Sequence, residues 1–242
     1  MTIYKSTKRV LFAVALCIAA TATFVVVSGR GSRPAPPQAT SNPANDEAQK
    51  VRQALERGGL REAAKVKGTY VADYNPHWDW GLFSVEDLTK NSAAVIVGRF
   101  TKKLDARLLD GKAIFTDYEV SVDELVKGDL NQAKSITVSI PGGRFYFEDG
   151  TSAEQLTPAF DQPRNGRSYA LFLMREEAAP SVFFLSGGPQ GLFDIEGGGG
   201  VKSHGRPEDP GAVETKGKTK DDFLKVVRDN ARKWPKPGKC CG

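Results

Sequence analysis

A regular alternation of apolar and polar side chains makes residues 113–128 the clearest element of this sequence. The apolar positions are Ile114, Tyr118, Val120 and Val122, and the polar positions between them are Asp117, Glu119, Ser121 and Asp123. Successive side chains of a strand point to opposite faces of a sheet, so the pattern predicts a half-buried strand with one face in water. Gly128 is expected to end this strand.

Five more stretches have strand character, which brings the number of predicted strands to about six. They are residues 93–101, 135–140, 168–174, 182–185 and 192–195. The stretch 168–174 is apolar throughout, which predicts a strand buried on both faces. Asp110-Gly111 predicts a hairpin turn, and residues 187–191 predict a closing hairpin between the last two strands. The set indicates a mainly β fold, a small antiparallel barrel.

The section from residue 141 to residue 166 contains several glycines and prolines and is interpreted as long and irregular. It includes the candidate ligand-binding residues, which are Arg144, Phe145, Tyr146 and Phe147. Aromatic rings and arginine anchor many binding interfaces, so exposure of this segment would create a binding surface. The alternative interpretation is that Phe145 and Phe147 alternate inward as the extension of a strand.

Three segments outside the strands have helical signals. Residues 46–67 carry one apolar helical face, but Gly58-Gly59 interrupts it, which predicts two short helices or one frayed helix. Ser84 is a candidate N-cap with Asp87 three residues later, and it predicts a helix through about Lys90. Residues 221–233 predict an amphipathic helix that packs on the barrel.

The N-terminal segment predicts a membrane location. Residues 10–28 are uncharged and rich in apolar side chains, and Lys5, Lys8 and Arg9 precede them. A run of this length can cross a bilayer as an uncleaved anchor, with the basic residues inside the cell. A cleaved signal peptide is the alternative. Both place the remainder of the chain outside the cytoplasm.

Composition divides the rest of the chain into further regions. Residues 29–45 are rich in proline and glycine and predict a linker. Residues 46–82 form a helical and aromatic-rich lead-in to the barrel, which is assigned to residues 83–196. Residues 197–220 contain four consecutive glycines and are interpreted as flexible, and residues 221–242 contain the C-terminal helix and a Cys-Cys tail.

The charge distribution argues against a nucleic-acid partner. The net charge is +5, but five of the 34 basic residues lie in residues 1–45, which contain no acidic residue. The remaining basic residues are balanced by the 29 acidic ones, so the part of the chain predicted to fold is neutral overall. Nucleic-acid binding needs a basic patch on the folded part.

The three cysteines provide no disulfide within the predicted barrel. Cys17 lies in the apolar N-terminal segment, and Cys240 and Cys241 are adjacent at the C-terminus. A disulfide between neighbours would be far from relaxed geometry. In an oxidising compartment the two predict an intermolecular disulfide, and the alternative is a pair of exposed thiols without a role.

The motifs of common catalytic and metal sites are missing. The chain has two histidines and contains no G-x-S-x-G, H-E-x-x-H, paired C-x-x-C or phosphate-binding glycine loop. His204 lies in the glycine- and proline-rich segment, where a rigid site is hard to build. We therefore predict no catalytic residue, no metal site and no cofactor.

Four sequence features resemble a known module. They are the strand AAVIVGRFT after a short helix, the end Leu125-Val126-Lys127-Gly128, the Gly166-x-x-Tyr169 strand, and Gly-Gly-Pro-Gln-Gly before Leu192-Phe193. Over residues 83–195 the chain resembles uncharacterised exported bacterial domains that are similar to the netrin and tissue-inhibitor-of-metalloproteinase module. The resemblance implies an OB-like barrel with flanking short helices. The inhibitors bind the protease metal through an N-terminal cysteine, and residues 18–239 hold no cysteine, so that activity is not carried over.

These features lead to a functional hypothesis. The leading prediction is a non-enzymatic binding module, tethered outside the cytoplasmic membrane, whose partner is a protein or a component of the cell envelope. One alternative is an extracytoplasmic enzyme, such as a hydrolase, with an acidic site. Another is a structural or assembly subunit crosslinked through its C-terminal cysteines.

Overall fold

The computed structural model describes residues 43–73, 81–158, 160–175, 181–196 and 200–236. The chain is mainly β. Its strands are β1 (Thr69–Asp73), β2 (Ala94–Leu109), β3 (Ala113–Lys127), β4 (Ser135–Pro141), β5 (Gly143–Tyr146), β6 (Ser152–Leu156), β7 (Ser168–Arg175), β8 (Val182–Leu185), β9 (Leu192–Asp194) and β10 (Lys202–Ser203). Its helices are α1 (Pro43–Lys67), α2 (Val85–Asn91), α3 (Pro210–Thr215) and α4 (Lys220–Lys233).

Strand β3 is the alternating stretch of the sequence, and its buried side chains have the predicted parity. Ile114, Tyr118 and Val120 are buried, as is Thr116 of the same parity, while the residues of the opposite parity between them are partly exposed. Asp110 and Gly111 both have positive φ, 48° and 69°, and form the predicted turn between β2 and β3. The strand prediction and the hairpin prediction are therefore confirmed.

The large sheet contains seven strands in the order β10–β9–β7–β2–β3–β4–β8. Strand β7 also pairs with β8, so β2, β3, β4, β8 and β7 follow one another in a closed circuit of pairings. Within this circuit only the β4–β8 pairing is parallel. Each strand of the circuit thus has hydrogen-bonded neighbours on both sides. The prediction of an antiparallel arrangement was wrong for the β4–β8 pairing.

A second, small sheet lies partly in the section interpreted as irregular. It has the order β1–β6–β5, in which β5 and β6 are antiparallel and β1 and β6 are parallel. Gly142 and Gly143, with φ of 98° and 120°, allow the chain to leave β4 and begin β5 at once. A Cβ at position 143 would lie 2.2 Å from Thr116 Oγ1, so the close approach of the two sheets requires glycine there.

The predicted hairpin between β8 and β9 was wrong. The two strands do not pair with each other, because both pair with the same edge of β7 at successive positions. Leu173 of β7 lies opposite Leu185 of β8, and Leu171 lies opposite Leu192 of β9. A 3-10 turn over Gly188–Gly191 carries the chain from one strand to the other.

Strand β7 separates the two larger hydrophobic clusters. Its side chains Tyr169, Leu171 and Leu173 belong to a cluster to which all five strands of the circuit contribute. Ala170 and Phe172 belong to a second cluster, which α2 and α4 cover with side chains that include Leu88, Phe223, Leu224 and Val227. The strand is buried on both faces, as its apolar sequence predicts.

Helix α1 bends at Gly58 and Gly59, where the sequence predicts an interruption. A Cβ on Gly59 (φ 67°) would lie 2.2 Å from the carbonyl oxygen of Gly111, at the tip of the β2–β3 hairpin. The same oxygen accepts a hydrogen bond of 2.9 Å from the amide of Leu60. The bend therefore brings helix and hairpin tip into direct contact, and Leu60 and Ala64 then pack on the small sheet.

The two other predicted helices are present. The Ser84 hydroxyl accepts from the Asp87 amide at 3.0 Å, and the Asp87 carboxylate accepts from the Ser84 amide at 3.2 Å, which is a capping box at the start of α2. Helix α4 buries its apolar face against α2 and the large sheet, and Arg228 donates two hydrogen bonds to Glu124 of β3.

The described part of the region interpreted as flexible contains regular structure. Residues 200–220 include β10 and α3, and Val201, Asp209, Gly211 and Thr215 are buried. The membrane prediction for residues 10–28 and most of the linker predicted over residues 29–45 lie outside the described residues. The last three residues of the predicted linker, 43–45, belong to the start of α1. Among the helices that are described, none has the length and apolarity needed to span a bilayer.

Candidate functional site

The four predicted binding residues lie on and next to strand β5, where they point to both faces of the small sheet. Phe145 and Phe147 point inward, with ring centroids 5.2 Å apart, and pack with the cluster of Leu60 and Ala64. Arg144 and Tyr146 point outward, and Tyr146 is 69% exposed. The alternation agrees with a strand extension, so only Arg144 and Tyr146 are available to a partner.

The outward side chains of the small sheet form a mixed surface, which we call the outer face. It contains Val71, Arg144, Tyr146, Glu154 and Leu156. Arg144 and Glu154 lie opposite each other in the β5–β6 register and form an ion pair, with Nε 3.2 Å from Oε2. Val71 and Leu156 are 51% and 43% exposed. The outer face therefore presents an aromatic ring and aliphatic groups around a fixed pair of charges.

The small sheet has two outer edges. Strands β1 and β5 each pair only with β6 among the described strands. The backbone groups along such edges can pair with a strand from another chain. The outer face and the two edges thus lie on one exposed element, which Leu60 and Ala64 of α1 support from behind.

A cleft of about 510 Å³ lies at the start of β7, between the loop residues 161–167, strands β9 and β10, and the residues after α3. We call it the His204 cleft. Its charged and aromatic lining residues are Asp161, Arg164, Arg167, Tyr169, Asp194, Lys202, His204 and Lys216. No feature of the sequence indicated that these residues would lie together.

The His204 ring has a fixed orientation in this cleft. Its Nδ1 lies 2.9 Å from the carbonyl oxygen of Asp161, and its ring centroid lies 5.7 Å from that of Tyr169 and 5.9 Å from that of Phe160. A carbonyl oxygen only accepts, so Nδ1 carries the proton. Burial lowers the pKa of His204, which favours the neutral ring with a free lone pair on Nε2. Nε2 of His204 has no hydrogen-bond partner among the described residues. Every buried side-chain nitrogen in that part of the chain has a partner, so Nε2 is not buried and is open to the cleft.

The charged groups of the cleft are partly paired. Arg167 donates to Asp194, whose Oδ2 lies 2.9 Å from the guanidinium, and Lys202 Nζ lies 3.2 Å from Asp161 Oδ2. Arg164 and Lys216 also line the cleft, and neither forms an ion pair with a described residue. With His204 neutral, the cleft has four cations and two carboxylates and is therefore positive.

The two carboxylates of the cleft are poor candidates for general-acid chemistry. The hydrogen bond from Lys202 lowers the pKa of Asp161, whereas a general acid needs a raised pKa. Asp194 is held by Arg167 and also accepts from the Glu196 amide at 3.1 Å. Within the described residues, no three His, Cys, Asp or Glu side chains are grouped as metal ligands. The arrangement is better suited to holding a ligand through charge and hydrogen bonds.

The other predicted functional residues lie outside the described part of the chain. Cys240 and Cys241, predicted to form an intermolecular disulfide, follow residue 236, and the membrane segment 10–28 precedes residue 43. The intermolecular disulfide and the membrane segment therefore stay predictions.

Comparison with known proteins adds no family assignment. No protein-family model matches the chain, and a search of curated proteins gave no match either.

Proposed function

We propose that this chain is a non-enzymatic binding module, held outside the cytoplasmic membrane by residues 10–28, whose partner is a protein or a component of the cell envelope. The location is supported by the sequence, because an uncharged stretch of this length after basic residues is typical of a membrane anchor. The part of the predicted linker that precedes α1, residues 29–42, would then give the module reach from the membrane surface.

We infer that the closed circuit of β2, β3, β4, β8 and β7 is an OB-type barrel. An OB barrel has five strands and Greek-key connections, and the circuit also has five. OB barrels host many unrelated functions, so the binding function has to be argued from a surface and not from the fold.

The observation that carries the proposal is the outer face of the small sheet. Tyr146 is 69% exposed on the edge strand β5, two residues from Arg144, which forms the ion pair with Glu154. Tyrosine and arginine are enriched among the residues that dominate binding energy, and truncating such a residue at the centre of an interface costs about 2 kcal/mol or more. Val71 and Leu156 add apolar area on the same face.

The supporting packing makes this surface rigid enough to be recognised. Phe145 and Phe147 fix β5 from behind against Leu60 and Ala64, so Arg144 and Tyr146 are held on a strand and not on a loop. A preformed surface loses less conformational entropy on binding. The free edges of β1 and β5 give an extended partner segment a second way to add affinity, through backbone hydrogen bonds.

Site-specific photocrosslinking in intact cells tests this proposal. A benzophenone amino acid replaces Tyr146 in the full chain, and in the matched control it replaces Val213 of α3, which is 59% exposed and does not belong to the small sheet. Irradiation is followed by analysis of adducts by mass spectrometry and gel mobility.

We expect an adduct of defined mass from position 146 that position 213 does not give. Addition of Arg144→Ala to the position-146 chain should reduce the yield of that adduct. Absence of any adduct at position 146, or the same set of adducts at both positions, would contradict a binding role for the outer face.

A further inference from the structure

We propose that the His204 cleft binds an anionic group, a carboxylate or a phosphate, on a small organic ligand, at a site separate from the outer face. The cleft combines two cations that have no carboxylate partner among the described residues, a fixed imidazole and a volume of about 510 Å³. Pockets for small molecules usually measure about 300–1,000 Å³, so the volume exceeds what a bare anion would fill.

The first argument is the imbalance of charge. Arg167 and Lys202 are engaged by Asp194 and Asp161, but Arg164 and Lys216 are not paired within the described residues. An anion placed between Arg164 and Lys216 would accept charge-assisted hydrogen bonds without breaking either existing pair. Guanidinium and ammonium groups bind carboxylate and phosphate oxygens particularly well.

The second argument is the rigidity of the walls. The Tyr169 hydroxyl, on a residue that is 1% exposed, accepts from the Arg164 amide at 2.9 Å and so holds the loop that carries Arg164. The same loop is tied to β2 by the Gly166 amide, which donates to the Phe100 carbonyl at 2.9 Å. The opposite wall is fixed by the His204 amide, which donates to Leu192 at 2.9 Å. A ligand would meet a preformed site and would not have to order it.

The third argument is the position of the imidazole. Nδ1 of His204 is used by the Asp161 carbonyl, so Nε2 remains as an acceptor. A hydroxyl or amide donor on the ligand can therefore bond to His204 while the anionic group lies between the cations. This arrangement favours an organic acid or a phosphate ester that also carries a donor group, and it disfavours a purely apolar ligand.

The imidazole also provides a local reporter, because the chain contains only two histidines. The full chain is titrated with inorganic phosphate, and separately with acetate, at constant ionic strength so that screening does not change. The imidazole resonances are followed by NMR, and the His77→Gln variant assigns those of His204. The two arms separate a phosphate preference from a carboxylate preference.

The test variant is Arg164→Gln/Lys216→Gln, and its matched control is Arg52→Gln/Lys225→Gln. The control removes the same two residue types and the same charge from α1 and α4, where neither side chain forms an ion pair with a described residue. Thermal unfolding of both variants verifies that they are folded.

We expect saturable shifts of the His204 resonances with at least one probe. The dissociation constant should rise by about tenfold or more in the cleft variant, since the loss of one hydrogen bond to a charged group already corresponds to about that factor. The control should bind as the unaltered chain does. The proposal is overturned if neither probe shifts His204, or if cleft and control variants lose affinity equally, because the effect would then be one of net charge.

Discussion

Replacing Gln155 with leucine should loosen the small sheet from the end of β3. The ladder between β3 and β4 ends at the pair Phe115 and Pro141, so the next amide, that of Ile114, has no partner on β4. The side chain of Gln155 takes that place, with Oε1 2.5 Å from the Ile114 amide nitrogen. Gln155 is 4% exposed, so water cannot easily replace this acceptor.

The expected cost follows from the burial of this amide. Leucine keeps nearly the same volume but removes the side-chain amide and with it the acceptor, which leaves the buried Ile114 donor unsatisfied at a cost of about 1–3 kcal/mol. A loss of about 2 kcal/mol lowers the melting temperature of a domain of this size by roughly 4–8 °C. Because Ile114 and Ala153 belong to the same hydrophobic cluster as Leu60, the substitution should also loosen the packing of α1.

Urea unfolding of the full chain measures the free energy, and hydrogen exchange measures the protection of the Ile114 amide. The control is Glu154→Gln on the same strand, which affects only an exposed ion pair and should cost less than about 1 kcal/mol. If Gln155→Leu leaves both the unfolding midpoint and the exchange of Ile114 unchanged, the side chain does not join the two sheets and the reasoning fails.

Two further results are expected. Leu171→Ala removes a fully buried side chain from β7 and should lower the free energy of urea unfolding by about 2–5 kcal/mol. The control Leu82→Ala, at a position that is 68% exposed, should change it by less than about 0.5 kcal/mol. Equal effects of the two substitutions would contradict the assigned core. Burial lowers the pKa of folded His204, so the unfolded chain binds the proton first and stability should fall as pH drops below about 6.5. In a His77→Gln background, adding His204→Gln should flatten this part of the pH profile, and an unaltered slope would refute the linkage.

The described strands of the large sheet, except the two-residue β10, were predictable because burial leaves a local pattern in their sequences. In β3 the period of two is continuous over several residues, and in β7 burial on both faces leaves an uninterrupted apolar run. The turn at Asp110-Gly111 was predictable because it requires positive φ. Such local signals identify an element without information about its neighbours.

The small sheet could not be predicted in the same way. Strands β5 and β6 have four and five residues, and glycines and a tight turn surround them, so their alternation is too short to separate from a loop. Pairing of β1 with β6 joins segments about eighty residues apart and leaves no sequence signal. The hairpin between β8 and β9 was predicted wrongly because proximity in sequence suggested pairing, while the long edge of β7 accepts both strands.

The sequence indicated part of the outer face, but it did not indicate the His204 cleft. Arg144 and Tyr146 were selected by residue type, and the structure adds that Phe145 and Phe147 point the other way. The cleft is assembled from residues between 161 and 217 on separate loops and strands, and His204 was set aside because glycine and proline surround it. In the structure His204 directly follows β10, and its ring lies beside that of Tyr169.

The contact between Gly59 and Gly111 determines how a mechanical load would enter the module. If the chain is moored at its N-terminus, tension arrives at Pro43 and passes along the first half of α1 to the bend. There the amide of Leu60 holds the Gly111 carbonyl, so part of the pull is transferred to the tip of the β2–β3 hairpin before the chain reaches β1. The small sheet that carries Tyr146 would therefore receive only the part of the load that this contact does not take up.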